Sequence, residues 1–450
     1  MNKSLFLEFI EKYFRLVVGK ISEKFNGKSQ EQPLLHKTML TEEYSADLNW
    51  GATELNHSIV AADVVALDSS LPLKRRDKLN AASGKLPKIG VKYRKGEKAI
   101  SDINVMIARG TDEATIASKI FDDTTKVVRA IEVRKEIMFL QALSTGQVLA
   151  TDIDNNGTGI RADFGYKEEN IFHAKVVAWG NRGYTPQDDV QQLFDKANED
   201  SNVINHVYIS KKYFDLFRTS EQGKLLAASF SNQVVTDVAL LPVPSRSKFL
   251  EALSDEYGAT FHVVDSVFKI EKADGTYEPI RPWEEANIVG VPEQVVGRLV
   301  YGTLAEETNP VTGVTYQKSG SHILVSKYSK NDPLEEFTAG QALAIPVIDG
   351  ADSIYVLHAD APKPAILTVS PTDLTFTASD QTKKIDIHYD GDTDSLRVQS
   401  SVDWATVTLG GDKVSVKVTA NDGEGAVVRS GRIIVSDGNT NISVNITQNA

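Results

Sequence analysis

Residues 152–163, DIDNNGTGIRAD, space oxygen donors much as a calcium loop does. Asp152, Asp154, Asn156 and Gly157 fall on its first, third, fifth and sixth positions. Asp163 stands where a bidentate glutamate would close the coordination shell. The apolar residue of the eighth position is missing, and Gly159 takes its place. The exit segment DFGYKEEN does not read as a helix. A hairpin turn rich in Asp, Asn and Gly accounts for the same residues, so no metal site is assigned. The other chemistry-bearing residues are scattered. Eight histidines show no HExxH and no metal-ligand spacing, and cysteine is absent. There is no GxxxxGK[ST] phosphate loop, no GxGxxG and no GxSxG. No catalytic residue and no cofactor is predicted.

Two further groups invite a functional reading. The stretch KLPKIGVKYRKGEKAI, 85–100, carries Lys85, Lys88, Lys92, Lys95 and Lys98 around an alternation of Ile89, Val91 and Tyr93. It reads as a two-stranded excursion turning at Gly96. Its lysines are either the solvated face of a strand pair or a contact arm that meets acidic neighbours. Trp404 lies among short alternating strands. It is either the core anchor of a small sandwich or a platform on which a sugar ring stacks. The first reading is preferred.

The elements that hold these residues divide the chain. Phe6, Ile10, Phe14, Val17, Ile21 and Phe25 recur at helical spacing, and Asn26-Gly27 supplies a stop. Residues 4–25 therefore form an amphipathic helix, docked on its own chain or on a partner. The interrupting charges Glu8, Glu11, Lys12 and Arg15 argue against a signal peptide, and no apolar run is long enough for a membrane span. Residues 26–55 read as an arm or linker. Ile116, Ile120, Val127, Ile131 and Met138 predict a long helix over 113–143, with Gly146 beyond its end. From 147 to 358 strands and helices mix without regular βαβ spacing, an α+β pattern. Thr185-Pro186, Ser210 and Ser247 are expected to open helices, and Asp274-Gly275 a hairpin. After the proline-bearing connection at 359–368, eight short strands separated by turns predict an all-β sandwich over 364–450.

Composition narrows the function classes. Of 450 residues, 41% are hydrophobic and 24% charged, as in ordinary globular chains; the formal net charge of −12 argues against a dedicated nucleic-acid binder.

The order of arm, lysine-bearing loop, long helix and α+β domain resembles the tailed-phage major capsid fold. More narrowly, residues from about 55 to 358 resemble the lambda-type major head proteins, the phage capsid protein E family. The carrying stretches are RRDKLNAASGKLPKIGVKYRKGEKAI at 75–100, IASKIFDDTTKVVRAIEVRKEIMFLQALSTGQ at 116–147 and RADFGY at 161–166. VPEQVVGRLVYG at 291–302 and KYSKNDPLEEFTAGQALAIPVI at 327–348 complete them. The tail resembles an immunoglobulin-like module of the BACON type, through Trp404, Ala420-Asn421, Arg429, Gly431, the 433–435 strand and Ile446-Thr447-Gln448.

The resemblance implies three parts. An N-terminal helix and arm occupy 1–55. A capsid body spans 56–360, with an extended loop at about 80–108, a spine helix at about 113–143 and an axial and peripheral part at 147–358. A β-sandwich closes the chain at 364–450. It further implies a non-enzymatic major capsid protein of a tailed bacteriophage. Such a protein assembles in the host cytoplasm into hexamers and pentamers and thence into an icosahedral virion shell. The implied partners are portal, scaffolding or other head proteins, and double-stranded DNA that is enclosed rather than read. No membrane is involved. The BACON family adds host-surface or mucus glycans as a ligand class for the tail. The alternative is a secreted carbohydrate-binding protein of a gut bacterium; a glycoside hydrolase would need a carboxylate pair that sequence alone does not reveal.

Overall fold

A computed structural model of the chain describes residues 3–26, 34–51, 83–150, 160–232, 237–272, 275–362, 367–389, 396–423, 425–436 and 441–450. These divide into two compact units, Met1–Pro362 and Lys363–Ala450.

The first unit is organised by one helix, Glu113–Thr145, whose 33 residues span roughly 50 Å at 1.5 Å per residue. Asp112 caps its start by accepting from the Thr115 backbone N–H at 3.1 Å. Gly146 ends it in the left-handed region at φ 73°, which glycine enters without a Cβ penalty. Its N-terminal half buries one stripe, Ile116, Ile120, Val127 and Ile131. Its C-terminal half buries Ile137 to Leu140 without a break, together with Ala142 and Leu143. A helix apolar on all sides must lie within the body, and there the core joins residues of two sheets, Val300 and Ile345 of one, Val289 and Val356 of the other.

The larger sheet is built along the strand Glu335–Ile348. Ile323–Lys330, Lys88–Lys95 and Gly297–Gly302 all pair with it antiparallel. Leu40–Tyr44 joins Gly297–Gly302 in parallel, and Thr315–Ser319 extends the other side. Gly340 lets the sheet approach the spine helix: a Cβ there would stand 2.9 Å from the Val127 Cβ. The second sheet runs Ile171–Ala174, Tyr355–Pro362, Asn287–Val291, His206–Ser210, Thr260–Val264. The helices Pro186–Glu199, Lys211–Thr219, Glu221–Phe230 and Arg246–Tyr257 share its core. Their aromatic side chains meet edge to face, Phe217 on Phe249 with ring centroids 5.2 Å apart.

Several local expectations change. The stretch at 80–108 is not a free two-stranded excursion. Residues 88–95 form a strand of the large sheet, because Ile89, Val91 and Tyr93 all point to one face and pack into the core of the spine helix. Glu97–Ala108 is a helix that buries Ile100 and Ile103. Only Ser83–Lys85 pairs away from that sheet, with Asn49–Gly51. The arm is also structured, as the short helix His36–Met39 and the strand Leu40–Tyr44. The N-terminal helix, Leu7–Asn26, packs on its own chain, burying Phe6, Ile10, Phe14, Val18 and Ile21 with the spine residues Ile120 and Phe121. Val18 rather than Val17 lies at the centre of that stripe. Ser245, not Ser247, caps the helix Arg246–Tyr257.

The second unit is a sandwich of two four-stranded sheets. Leu367–Ser370, Gln381–Tyr389, Lys413–Val418 and Ala405–Gly410 make one. Asp373–Phe376, Asn441–Gln448, Arg429–Ser436 and Arg397–Ser400 make the other. Alternate residues point inward, so Val414, Val416, Val418, Ile433, Val435, Val444 and Ile446 form a core with Phe376. All eight predicted strands are present, and a hairpin turning at Gly411-Asp412 pairs Gly410 with Lys413.

Candidate functional site

The most concentrated chemistry of the first unit lies where the arm crosses the spine helix. Glu132, Lys135 and Glu136 occupy adjoining positions of that helix at i, i+3 and i+4, and all are buried. Glu136 accepts the backbone N–H groups of Leu35 and His36 at 2.8 and 2.9 Å. It thereby holds the entry to His36–Met39. The His36 ring stands between two carboxylates, Nδ1 2.6 Å from Glu136 and Nε2 3.0 Å from Glu132. Lys37 lies 3.3 Å from Glu132, and Lys135 2.8 Å from it. Burial raises the Glu132 carboxyl, but the His36 hydrogen bond and the Lys135 and Lys37 charges outweigh it and hold the group well below the usual range.

Lys135 also donates to Nε2 of His322, 2.8 Å away. That nitrogen must then be the acceptor, which places the ring proton on Nδ1, toward Ser321 Oγ at 2.8 Å. Ser321 in turn donates to Glu42 of the arm strand at 2.5 Å. Burial, and then the Lys135 cation, push His322 down to about 3. A cavity of about 110 Å³ opens beside these groups, also lined by Val128, Leu299 and Ser319. A second buried pair anchors the start of the chain. Glu336 accepts from Ser4 Oγ at 2.5 Å and from Leu5 N–H at 3.1 Å. Lys327, with no exposed surface, donates to Ile120 O and Thr338 Oγ1.

The five lysines part company. Lys88 reaches Glu306 at 3.0 Å. Lys95 contacts Asp122 and lies 2.7 Å from Asp123, both on its own spine helix. Lys92 is exposed, with its ammonium 5.1 Å from the Phe337 ring centroid. Lys85 and Lys98 are exposed and have no ion pair among the described residues. In the second unit, Trp404 is half-buried beside the core, not sealed within it. The Arg429 guanidinium lies 4.6 Å from its ring centroid, fixed there by Thr419 O at 2.7 Å and Gln448 Oε1 at 2.8 Å. Residues 152–157 lie outside the described residues. Asp163 accepts from Gln147 Nε2 and Gly165 N–H. Among the described residues no three His, Asp or Glu side chains gather into a metal-binding group. None of the described helices is long and apolar enough to cross a membrane.

The family model described as phage major capsid protein E matches residues 20–357. The chain belongs to that family. It is a phage major capsid protein of mixed α+β structure, and copies of such a protein build a virion capsid. The family is one of structural proteins rather than enzymes. Residues 393–449 match a BACON module, described as a putative binding domain. No curated protein matches the chain.

Among solved structures, the capsid protein resembles a capsid protein of a prophage of E. coli CFT073, at 13% identity and TM-score 0.46. That match covers 76% of this chain and 98% of the other. The mature capsid of bacteriophage PhiM1 matches at 10% identity and TM-score 0.37, over 71% and 85%. A Bacteroides ovatus xyloglucanase in complex with a heptasaccharide matches at 28% identity and TM-score 0.16, over 19% of each chain.

Sequence reasoning did not find the arm–spine cluster of this capsid protein. Its members come from residues 36–42, 132–136 and 321–322, and no local spacing joins them. Glu132, Lys135 and Glu136 lie between the apolar positions Ile131 and Met138 of the spine and are all buried, which their charge alone does not signal.

Proposed function

We propose that the protein assembles as hexamers and pentamers into an icosahedral shell around double-stranded DNA. Its tail stands on the outside as a separate adhesive module. The shell encloses the genome without reading it, and portal and scaffolding proteins join it in the host cytoplasm. Division into two compact units, with the capsid-family match confined to the first, carries this reading. A module with its own apolar core needs no help from the shell to fold. Many weakly binding copies on one particle would hold host-surface or mucus glycans by avidity. Trp404 contributes to such a surface at most through the ring face away from Arg429. A secreted carbohydrate-binding protein would leave the family match over 20–357 without a purpose.

Deletion of residues 362–450 tests the division. Shells of normal size that no longer adhere to glycan-coated surfaces are expected. Failure of the truncated chain to form shells refutes the separation of roles. Normal shells with unchanged adhesion refute the glycan role alone.

A further inference from the structure

We propose that the junction of arm and spine is an acid-sensitive latch, in which protonation of His322 frees residues 34–44 from the spine helix. Lys135 donates to the His322 Nε2 at 2.8 Å, so the ring fits only while that nitrogen keeps its lone pair. Burial lowers the Lys135 ammonium, and the Glu132 carboxylate 2.8 Å away opposes that and favours its proton. A proton added to His322 then sets an imidazolium against that ammonium at hydrogen-bond distance, with both side chains buried. One of the two must move.

Either movement reaches the arm. The charged groups facing the ring are Lys135 and Glu132 from the spine and His36, Lys37 and Glu42 from the arm. Glu136 lies one contact further, behind His36. If Lys135 swings away, Glu132 loses the ammonium 2.8 Å from it. Glu132 is one of the two carboxylates that grip His36, and it also holds Lys37. If His322 moves instead, Ser321 goes with it, and Ser321 is bonded to Glu42 of the arm strand. Tyr301, whose ring centroid is 5.2 Å from that of His322, lies on the strand with which the arm pairs. The adjoining cavity of about 110 Å³ gives the displaced group somewhere to go and water a way to follow.

The sign follows from the depressed histidine. Folded and neutral is the favoured state, so the latch is intact above the ordinary value of 6.5. It weakens as pH falls from there toward about 3. Ordinary carboxylate protonation begins only at lower pH.

Amide hydrogen exchange of the full-length protein at pH about 7.5 and about 5.5, corrected for intrinsic rates, tests this. Amides of 35–44 should exchange up to about tenfold faster at the lower pH, the limit for release of one histidine to its ordinary value, while those of the second sheet hold. His322→Gln can accept from Lys135 and donate to Ser321 without titrating, so it should abolish the acid response. Unchanged protection in the wild type, or an equal acid loss in H322Q, overturns the proposal. If H322Q does not fold, Lys135→Gln, which removes the opposing ammonium but leaves the ring buried, must lessen the response in its place. If neither folds, an acid loss spread evenly over both sheets of the wild type overturns it, and one confined to 35–44 supports it.

Discussion

Lys95 and Asp123 face each other across the packing of strand on spine helix, Nζ 2.7 Å from the carboxylate, within a single chain. Asp123 is buried, and although burial raises its carboxyl, Lys95 and Lys126 outweigh that and hold it below the usual range. Lys95 therefore supports its own subunit rather than a neighbour. Lys95→Met should cost roughly 1.5–3 kcal/mol, the worth of a hydrogen bond to a charged group, read as a lower thermal midpoint of the unassembled protein.

Lys85, Lys92 and Lys98 remain for contact with a second subunit. Reversing all three to glutamate should leave the monomer's midpoint within about 0.5 kcal/mol of wild type, as exposed charges do. Shell yield in sedimentation should fall. Normal shells from the triple variant would remove these lysines from the interface.

Gly340 sets the distance between sheet and spine. Its replacement by alanine brings a methyl to 2.9 Å from the Val127 Cβ, among packed side chains. Overpacking of this kind costs about 1–3 kcal/mol. Denaturant unfolding of Gly340→Ala should show it as a lower midpoint with unchanged slope.

Lys327 gives the body an alkaline signature. Burial pushes it down to about 8, and Glu336 limits the fall. A lysine depressed in the folded state opposes folding while it is charged in the unfolded chain. Stability from this group should therefore rise as pH climbs from about 8 to 10.5. Lys327→Met should flatten that rise in thermal melts across the same window.

In the tail, Arg429→Ala should uncover one face of Trp404 and leave Gln448 short of a donor. A loss of about 1–2 kcal/mol is expected. Trp404 is the tail's one tryptophan, so a red-shifted contribution to the fluorescence difference spectrum would report the uncovering.

Much of this was legible wherever one segment carries its own signal. The sandwich strands alternate strictly, and the spine helix is bounded by Asp112 and Gly146, so both could be read locally. The strand at 88–95 misled for a physical reason. Alternation shows that a strand has a buried face, but not which element covers it, and here that element is the spine rather than a second strand of a loop. Trp404 misled in a milder way: its size suggested full burial, yet it lies at the sandwich margin under a guanidinium. The buried charges of the arm–spine cluster look like surface residues one at a time. They become intelligible only once three distant segments supply each other's counter-charges.

The parallel pairing of Leu40–Tyr44 with Gly297–Gly302 has a consequence for synthesis. An emerging chain exposes the first of these strands long before the ribosome releases its partner. The large sheet therefore closes late, after the spine helix and much of the second sheet have been translated. A nascent subunit is thus without a finished edge to present to others on the same message, and translation itself delays association until nearly the whole body is available.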